Sequence, residues 1–422
     1  MADLRSDSTG ARASLELLRR NPDFRRLYFA QLISFGGDWF MTVALFGLVH
    51  ELTGSAIFVA LTITVPELAF FLLSPVGGAL ADRLDRRRLM IAADLGRACL
   101  CLPLLLVDSR SAVWLVFVVL ATISVFTACF EPASSAAIPN VVDPADLAAA
   151  NTLVGSAWGT MLAVGAAAGG LVVTLFGRDA AIVGNTVSFL FSAWLLLRVH
   201  RAFSEPREEH AHHPGVLEAT RETVAYARQD HRVLALLGVK AGFGLAAGVL
   251  VLIAVFATDV FGEGDIGIGL LMASRGVGAL IGPFLGRAIA GSDDRRLFSA
   301  IGLALAVFGA SYMMFGLSPS LLVAAPIVMC AHLGGGAQWT LSTYGLQRLT
   351  PDRIRGRIFA FDYALVTLSL GVSSFAAGWL ADTVGPRPTV IGLGGVALVW
   401  SGTWWMLTRD IRHRAATSGL DP

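Results

Sequence analysis

Apart from a polar opening (residues 1–26), the chain alternates almost to its end between long apolar stretches and short polar or Gly/Pro-rich breaks. A hydrocarbon core about 30 Å thick is crossed by roughly 20 apolar residues in helical form. Stretches of that size fall at 27–50, 56–80, 88–107, 112–137, 147–175 and 180–198, and again at 233–260, 266–289, 297–317, 320–346, 357–381 and 388–408. They predict an all-α membrane protein with twelve transmembrane helices. One long break, 199–232, is charged, carries two prolines and separates two sets of six. Within it, 216–229 has Leu217 and Val224 on one helical face and is expected to lie along the membrane surface.

The distribution of basic residues orients the spans. Of 32 Lys and Arg, only Arg110, Arg178 and Arg387 fall on one side of the predicted membrane, and only Arg97, Lys240 and Arg275 fall inside spans. All others share the side of the N-terminus. That side is expected to be the cytoplasm, with both termini there and the chain in a bacterial inner membrane. The expected organisation is then a cytoplasmic segment 1–26, a six-helix bundle 27–198, a cytoplasmic linker 199–232, a second bundle 233–408 and a tail 409–422. The polar first segment is expected to hold no cleavable signal peptide.

Composition agrees. Hydrophobic residues make up 55% and charged residues 15% of the chain, against about 25% charged in soluble domains. The mean hydropathy is +0.67. Cys99, Cys101, Cys129 and Cys330 all lie in apolar stretches, where thiols act as small packing residues. His210, His212 and His213 sit in the linker without an acidic or cysteine partner at ligand spacing, so no metal site is expected.

Faint repetition relates the two sets of six. Residues 78–83 (GALADR) align with 282–287 (GPFLGR), Gly170 and Gly177 with Gly378 and Gly385, and Pro139 with Pro351, at offsets between 204 and 212. Duplicated six-helix units are the trace of transporters that rock about a central site.

Residues 77–88 read GGALADRLDRRR, between the second and third spans. This closely resembles the major facilitator superfamily signature, with Asp85 in place of its usual glycine. Residues 21–40 (NPDFRRLYFAQLISFGGDWF), 130–142 (FEPASSAAIPNVV) and 347–361 (QRLTPDRIRGRIFAF) are similar to the macrolide-efflux and enterobactin-exporter branch. The resemblance implies two pseudo-symmetric bundles and export of small organic molecules such as drugs or siderophores. It further implies that Gly78, Asp82, Arg83, Arg86 and Arg87, with Asp362, form a gate. Asp82 would meet the positive end of the eleventh helix near 356–361, and the arginines would pair with acids at the surface. In the fifth span, 165–170 (GAAAGG) is similar to an antiporter pattern but has Ala166 where that pattern has proline. Gly155, Gly159, Gly165 and Gly169 at four-residue spacing also suit close helix packing in any membrane protein.

A charge at the bilayer centre costs about 2.5–3.5 kcal/mol on insertion scales, so each one needs a partner or a wet cavity. Asp38, Glu67, Arg97 and Arg275 fall near mid-span, with Asp94, Glu131, Lys240 and Asp362 nearer the N-terminal side of the membrane. Three helical stripes, Gln31-Ser34-Asp38-Thr42, Thr64-Glu67-Ser74 and Ser124-Thr127-Glu131-Ser134, are expected to converge on a central path. Asp38, Glu67 or Glu131 is expected to take up a coupling proton. The alternative is a static pair of Asp38 or Glu67 with Arg97, while Asp94 and Arg97, three apart, suit an intrahelical pair. Arg275 and Lys240 suit an anionic substrate. His332 suits either a protonation switch or helix packing. Trp39, Phe40, Trp158 and Trp339 supply aromatic surface.

The leading expectation is secondary export by proton antiport, with uptake or lipid translocation on the same fold as the alternative and a non-transporting receptor behind both. No enzyme is expected: His50-Glu51 lacks the second histidine of a zinc-protease motif, and no phosphate-binding loop is present. The expected partners are a small-molecule substrate and the lipid bilayer, with no nucleic acid and no cofactor beyond the proton gradient. The expected state is a monomer.

Overall fold

The computed structural model describes residues 14–203, 216–290 and 293–412. Twelve of its helices are long and apolar enough to cross a membrane. They are numbered here α1 (Pro22–Thr53), α2 (Ala56–Arg83), α3 (Arg86–Cys101, continued by a 3-10 turn Leu102–Leu106), α4 (Trp114–Val141), α5 (Leu147–Phe176), α6 (Arg178–Leu197), α7 (His231–Val260), α8 (Gly264–Ala290), α9 (Asp294–Leu317), α10 (Leu321–Leu349), α11 (Asp352–Val384) and α12 (Pro386–Leu407). No strand occurs among the described residues.

Local chemistry sets several of the ends. Asn21 caps α1, its side chain accepting from Phe24 N, and Gly54 closes it with a φ of 62°, which a side chain would oppose. Asp85 accepts from Arg88 N and caps α3. That role accounts for an aspartate where the superfamily signature has glycine. α7 breaks at Ala247–Gly248. There Ser373 of α11 donates to Leu245 O and accepts from Gly248 N, satisfying backbone groups the break exposes.

The helices pack as two copies of one plan. In the first half α1 lies on α5 and α6, α2 on α4, and α3 on α4 and α6. Six spans later α7 lies on α11 and α12, α8 on α10, and α9 on α10 and α12. The halves meet along two antiparallel seams, α5 against α8 and α2 against α11.

Both seams are tight at the arginine-poor end and loosen toward the arginine-rich end. On α5/α8, a Cβ added at Gly170 would lie 2.8 Å from Gly269 Cα, one at Gly276 2.3 Å from Ala163 N, and one at Gly159 3.5 Å from Leu280 Cα. Beside Gly155 there is open space. On α2/α11 the series runs from Gly378 against Ala60 at 2.6 Å, through Gly371 against Leu68 at 3.6 Å, to Gly78, which again borders open space.

The linker helix Val216–Gln229 docks on the second half rather than lying only on the membrane. Its Tyr226 hydroxyl donates to Leu349 O at 3.2 Å, and Ala227 is buried. The linker histidines and the side chain of Leu217 lie outside the described residues, as do the side chains of Asp82 and Trp158.

Candidate functional site: an ionisable centre between two bundles

The first half carries a charged core built from four of its helices. On α3, Arg97 pairs with Asp94 one turn earlier, and Ser192 of α6 donates to the same carboxylate at 2.7 Å. Both charged residues are buried. The Arg97 guanidinium lies between the rings of Phe130 (α4) and Phe189 (α6), 4.5 Å from each. A planar delocalised cation suits that slot, which an ammonium would fill poorly.

Asp38 on α1 approaches the same core. Asn185 of α6 donates to its carboxylate at 3.4 Å, and the charge of Arg97 acts on it. Gly37 permits the approach, because a Cβ there would lie 2.1 Å from Ser188 Oγ. Glu131 follows Phe130 on α4 and lies in the electrostatic field of both Arg97 and Asp38. The structure therefore brings Asp38, Arg97 and Glu131 together.

Glu67, after Pro66 on α2, stands apart from that core and faces the seam. Its charge and that of Glu131 both act on Tyr363 of α11, and Tyr363 meets Phe70 of α2 edge to face at 5.6 Å. Glu67 and Glu131 are half-buried. Among the described residues, neither makes a hydrogen bond or ion pair.

The remaining stripe residue, Gln31, is buried and donates to Ser134 of α4, so it clamps α1 to α4. It does not line a path, as the helical stripe had suggested.

In the second half the charges are partnered. Lys240 of α7 forms a buried ion pair with Asp362 of α11, donates to Thr343 of α10 at 2.9 Å and lies 4.8 Å from the Trp339 ring. Asp362 thus sits inside the bundle on Lys240 rather than at a surface gate, and Lys240 is already neutralised. Arg275 of α8 reaches across the seam to the ring of Trp39 on α1, at 5.4 Å. His332 is buried, bonded to Tyr312 through Nε2 at 2.9 Å, and edge-on to Phe308.

The signature arginines behave differently from the surface pairing expected for them. Arg86 donates to Ala136 O at 2.9 Å and to Phe203 O at 3.2 Å, and Arg87 donates to Leu196 O at 3.0 Å and to Leu197 O. Leu196 and Leu197 end α6, where unsatisfied carbonyls favour a cation. Arg86 and Arg87 tie the 2–3 loop to backbone carbonyls of their own half, where acids had been expected. Arg83 is exposed.

The profile of the transmembrane secretion effectors, a major facilitator family, matches residues 14–416. The chain belongs to that family. Among its relatives, the putative bacilysin exporter BacE of Bacillus subtilis (strain 168) is 26% identical over 377 residues, covering 88% of this chain and 91% of that protein. Macrolide efflux protein A of Streptococcus pyogenes is 24% identical over 371 residues, 86% of this chain and 90% of that one. A crystal structure of a bacterial homologue of the human lysosomal transporter Spinster, inward-facing and occupied, superposes with a TM-score of 0.73 at 14% identity. It covers 92% of this chain and 96% of the other, a likeness of fold. This secretion effector is an efflux-type membrane transporter and not an enzyme.

Proposed function

We propose that the protein exports small organic molecules across a bacterial inner membrane by alternating access, driven by proton entry, with its arginine-rich end and both termini in the cytoplasm. The observation that carries the coupling is the pair of half-buried carboxylates, Glu67 and Glu131, that lack an ionic or hydrogen-bonding partner beside a seam that loosens toward that end. An ionised carboxylate so placed costs several kcal/mol unless a cation or proton joins it. Proton and substrate competing for one such group is the simplest antiport device, since occupation by either neutralises the charge and lets the halves close over it.

Asp38 and Arg97 support the same cycle by holding a fixed field around Glu131. The relatives named for bacilysin export and macrolide efflux support the direction and an organic substrate. The signal for orientation is the arginine distribution, with the proton gradient as the energy source and no cofactor. The working unit is a monomer.

The test is accumulation of a radiolabelled macrolide in cells with and without the protein. Expression should lower accumulation, an uncoupler should restore it, and Glu67→Gln should behave as the uncoupled wild type. Export that survives both uncoupler and Glu67→Gln would remove proton antiport through this group.

A further inference from the structure

At the arginine-poor end, among the described residues, three carboxylates of the second half contact groups of the first. Asp382, in the last turn of α11, accepts from Ala56 N at 2.7 Å, from Ile57 N at 3.2 Å and from the Ser55 hydroxyl at 2.5 Å. Arg178, at the start of α6, donates to Asp265 of α8 at 3.0 Å, and also to Glu51 of its own half at 2.6 Å. His50 of α1 lies 2.6 Å from Asp259, in the last turn of α7.

The first contact is unusual in kind. Ser55 occupies the N-cap position of α2 yet makes no capping bond to its own helix. The first amides of a helix need acceptors, and a serine at that position ordinarily supplies one. Here the acceptor is supplied by the other half of the protein, so α2 is capped only while the arginine-poor ends of the two halves are together. The seams are also close at that same end, where Gly378 meets Ala60 and Gly170 meets Gly269.

We infer that Asp382, seconded by Asp265 on Arg178, is a latch that holds the arginine-poor end shut and thereby sets the balance between the two access states. When the halves rock the other way, Asp382 leaves the α2 amides and Asp265 leaves Arg178. The cost of uncapping α2 and parting the ion pair then falls on the open form alone. Only a differential interaction of this type shifts a two-state balance. The signature aspartate Asp82 stands in the last turn of α2, at the other end of the same helix pair. Asp382 therefore provides α11 with a counterpart at the end the signature does not reach.

The experiment measures the gap at that end directly, with spin labels at Ser111 in the 3–4 loop and Ser320 in the 9–10 loop, both exposed and on opposite halves. Distances are read in the full-length protein in lipid nanodiscs, without substrate or gradient. The outcome is therefore independent of whether export is proton-coupled. Asp382→Ala should move population from the short to the long distance by roughly fivefold, the scale of one lost cap. Asp265→Asn should do so more weakly, and Asp382→Asn should fall between wild type and Asp382→Ala because the amide oxygen still accepts. Asp108→Asn, an exposed change at the same end, should leave the distribution alone. Unchanged distributions in Asp382→Ala and Asp265→Asn overturn the latch, and so does an equal widening in Asp108→Asn. Should Asp382→Ala fail to fold, the Asp382→Asn and Asp265→Asn pair decides.

Discussion

Gly170 and Gly269 meet across the α5/α8 seam so closely that a side chain on either would strike the other helix's backbone, with 2.8 Å from an added Cβ to the facing Cα. Gly155, on the same face of α5 but nearer the arginine-rich end, borders open space. Gly170→Val or Gly269→Val should wedge the seam, at about 1–3 kcal/mol for overpacking. The unfolding temperature of the purified protein should fall by several degrees, and export in the accumulation assay should drop strongly. Gly155→Ala should keep both, since a methyl there meets nothing.

The Lys240–Asp362 pair predicts a non-additive pattern. Removing one member, by Lys240→Met or Asp362→Asn, strands the other charge inside the second bundle at about 3–5 kcal/mol. Removing both should recover most of that loss, because the buried pair itself gains little over neutral packing. Unfolding temperatures of the four proteins in detergent measure the coupling. A double variant as unstable as the two singles combined would show that the pair is not the reason for the loss.

Much of this arrangement was legible in the sequence because the bilayer simplifies the problem. Hydrophobic length alone marked all twelve helices, and the family signature named the fold. What escaped was partnership. The Asp94–Arg97 pair follows from three-residue spacing, but nothing local announces that Lys240 will meet Asp362, 122 positions away. Gln31 and Asp38 lie on one polar stripe, yet Gln31 bonds to Ser134 on α4 while Asp38 bonds to Asn185 on α6. Helical periodicity gives a face, not a neighbour. The contacts at the arginine-poor end were missed for a related reason. His50, Arg178, Asp259, Asp265 and Asp382 fall at or beside the ends of predicted spans, and only folding brings them into contact between the halves. Asn185 had a signal that was overlooked, an amide near the middle of a predicted span.

His332 offers a clean separation between a packing role and a protonation role. Its ring is bonded to Tyr312 and edge-on to Phe308, and the positive charge of Arg275 acts on it. Tyr312→Phe should therefore cost about 0.5–1.5 kcal/mol of stability, the worth of one hydrogen bond, and leave the pH dependence of export untouched. Transport into everted vesicles, followed across pH, tests this. A shifted profile would return His332 to the list of proton carriers.

Arg97 carries the most demanding prediction, because its position serves two purposes at once. Its charge neutralises Asp94 and acts on Asp38 and Glu131, while its flat guanidinium fills the slot between Phe130 and Phe189. Arg97→Met keeps volume but leaves Asp94 buried without its cation, a loss of about 3–5 kcal/mol. Arg97→Lys keeps the charge and forfeits the stacking, a smaller loss of about 0.5–2 kcal/mol. Stability should rank wild type, lysine, methionine. Export should keep that order and part from stability in the double variant, because the field around Glu131 is lost with the arginine: near wild type with lysine, and absent with methionine even when Asp94→Asn is added to relieve the stranded charge. Export restored in that double variant would make Arg97 a packing cation only, and Glu131 would then answer to Asp38 alone.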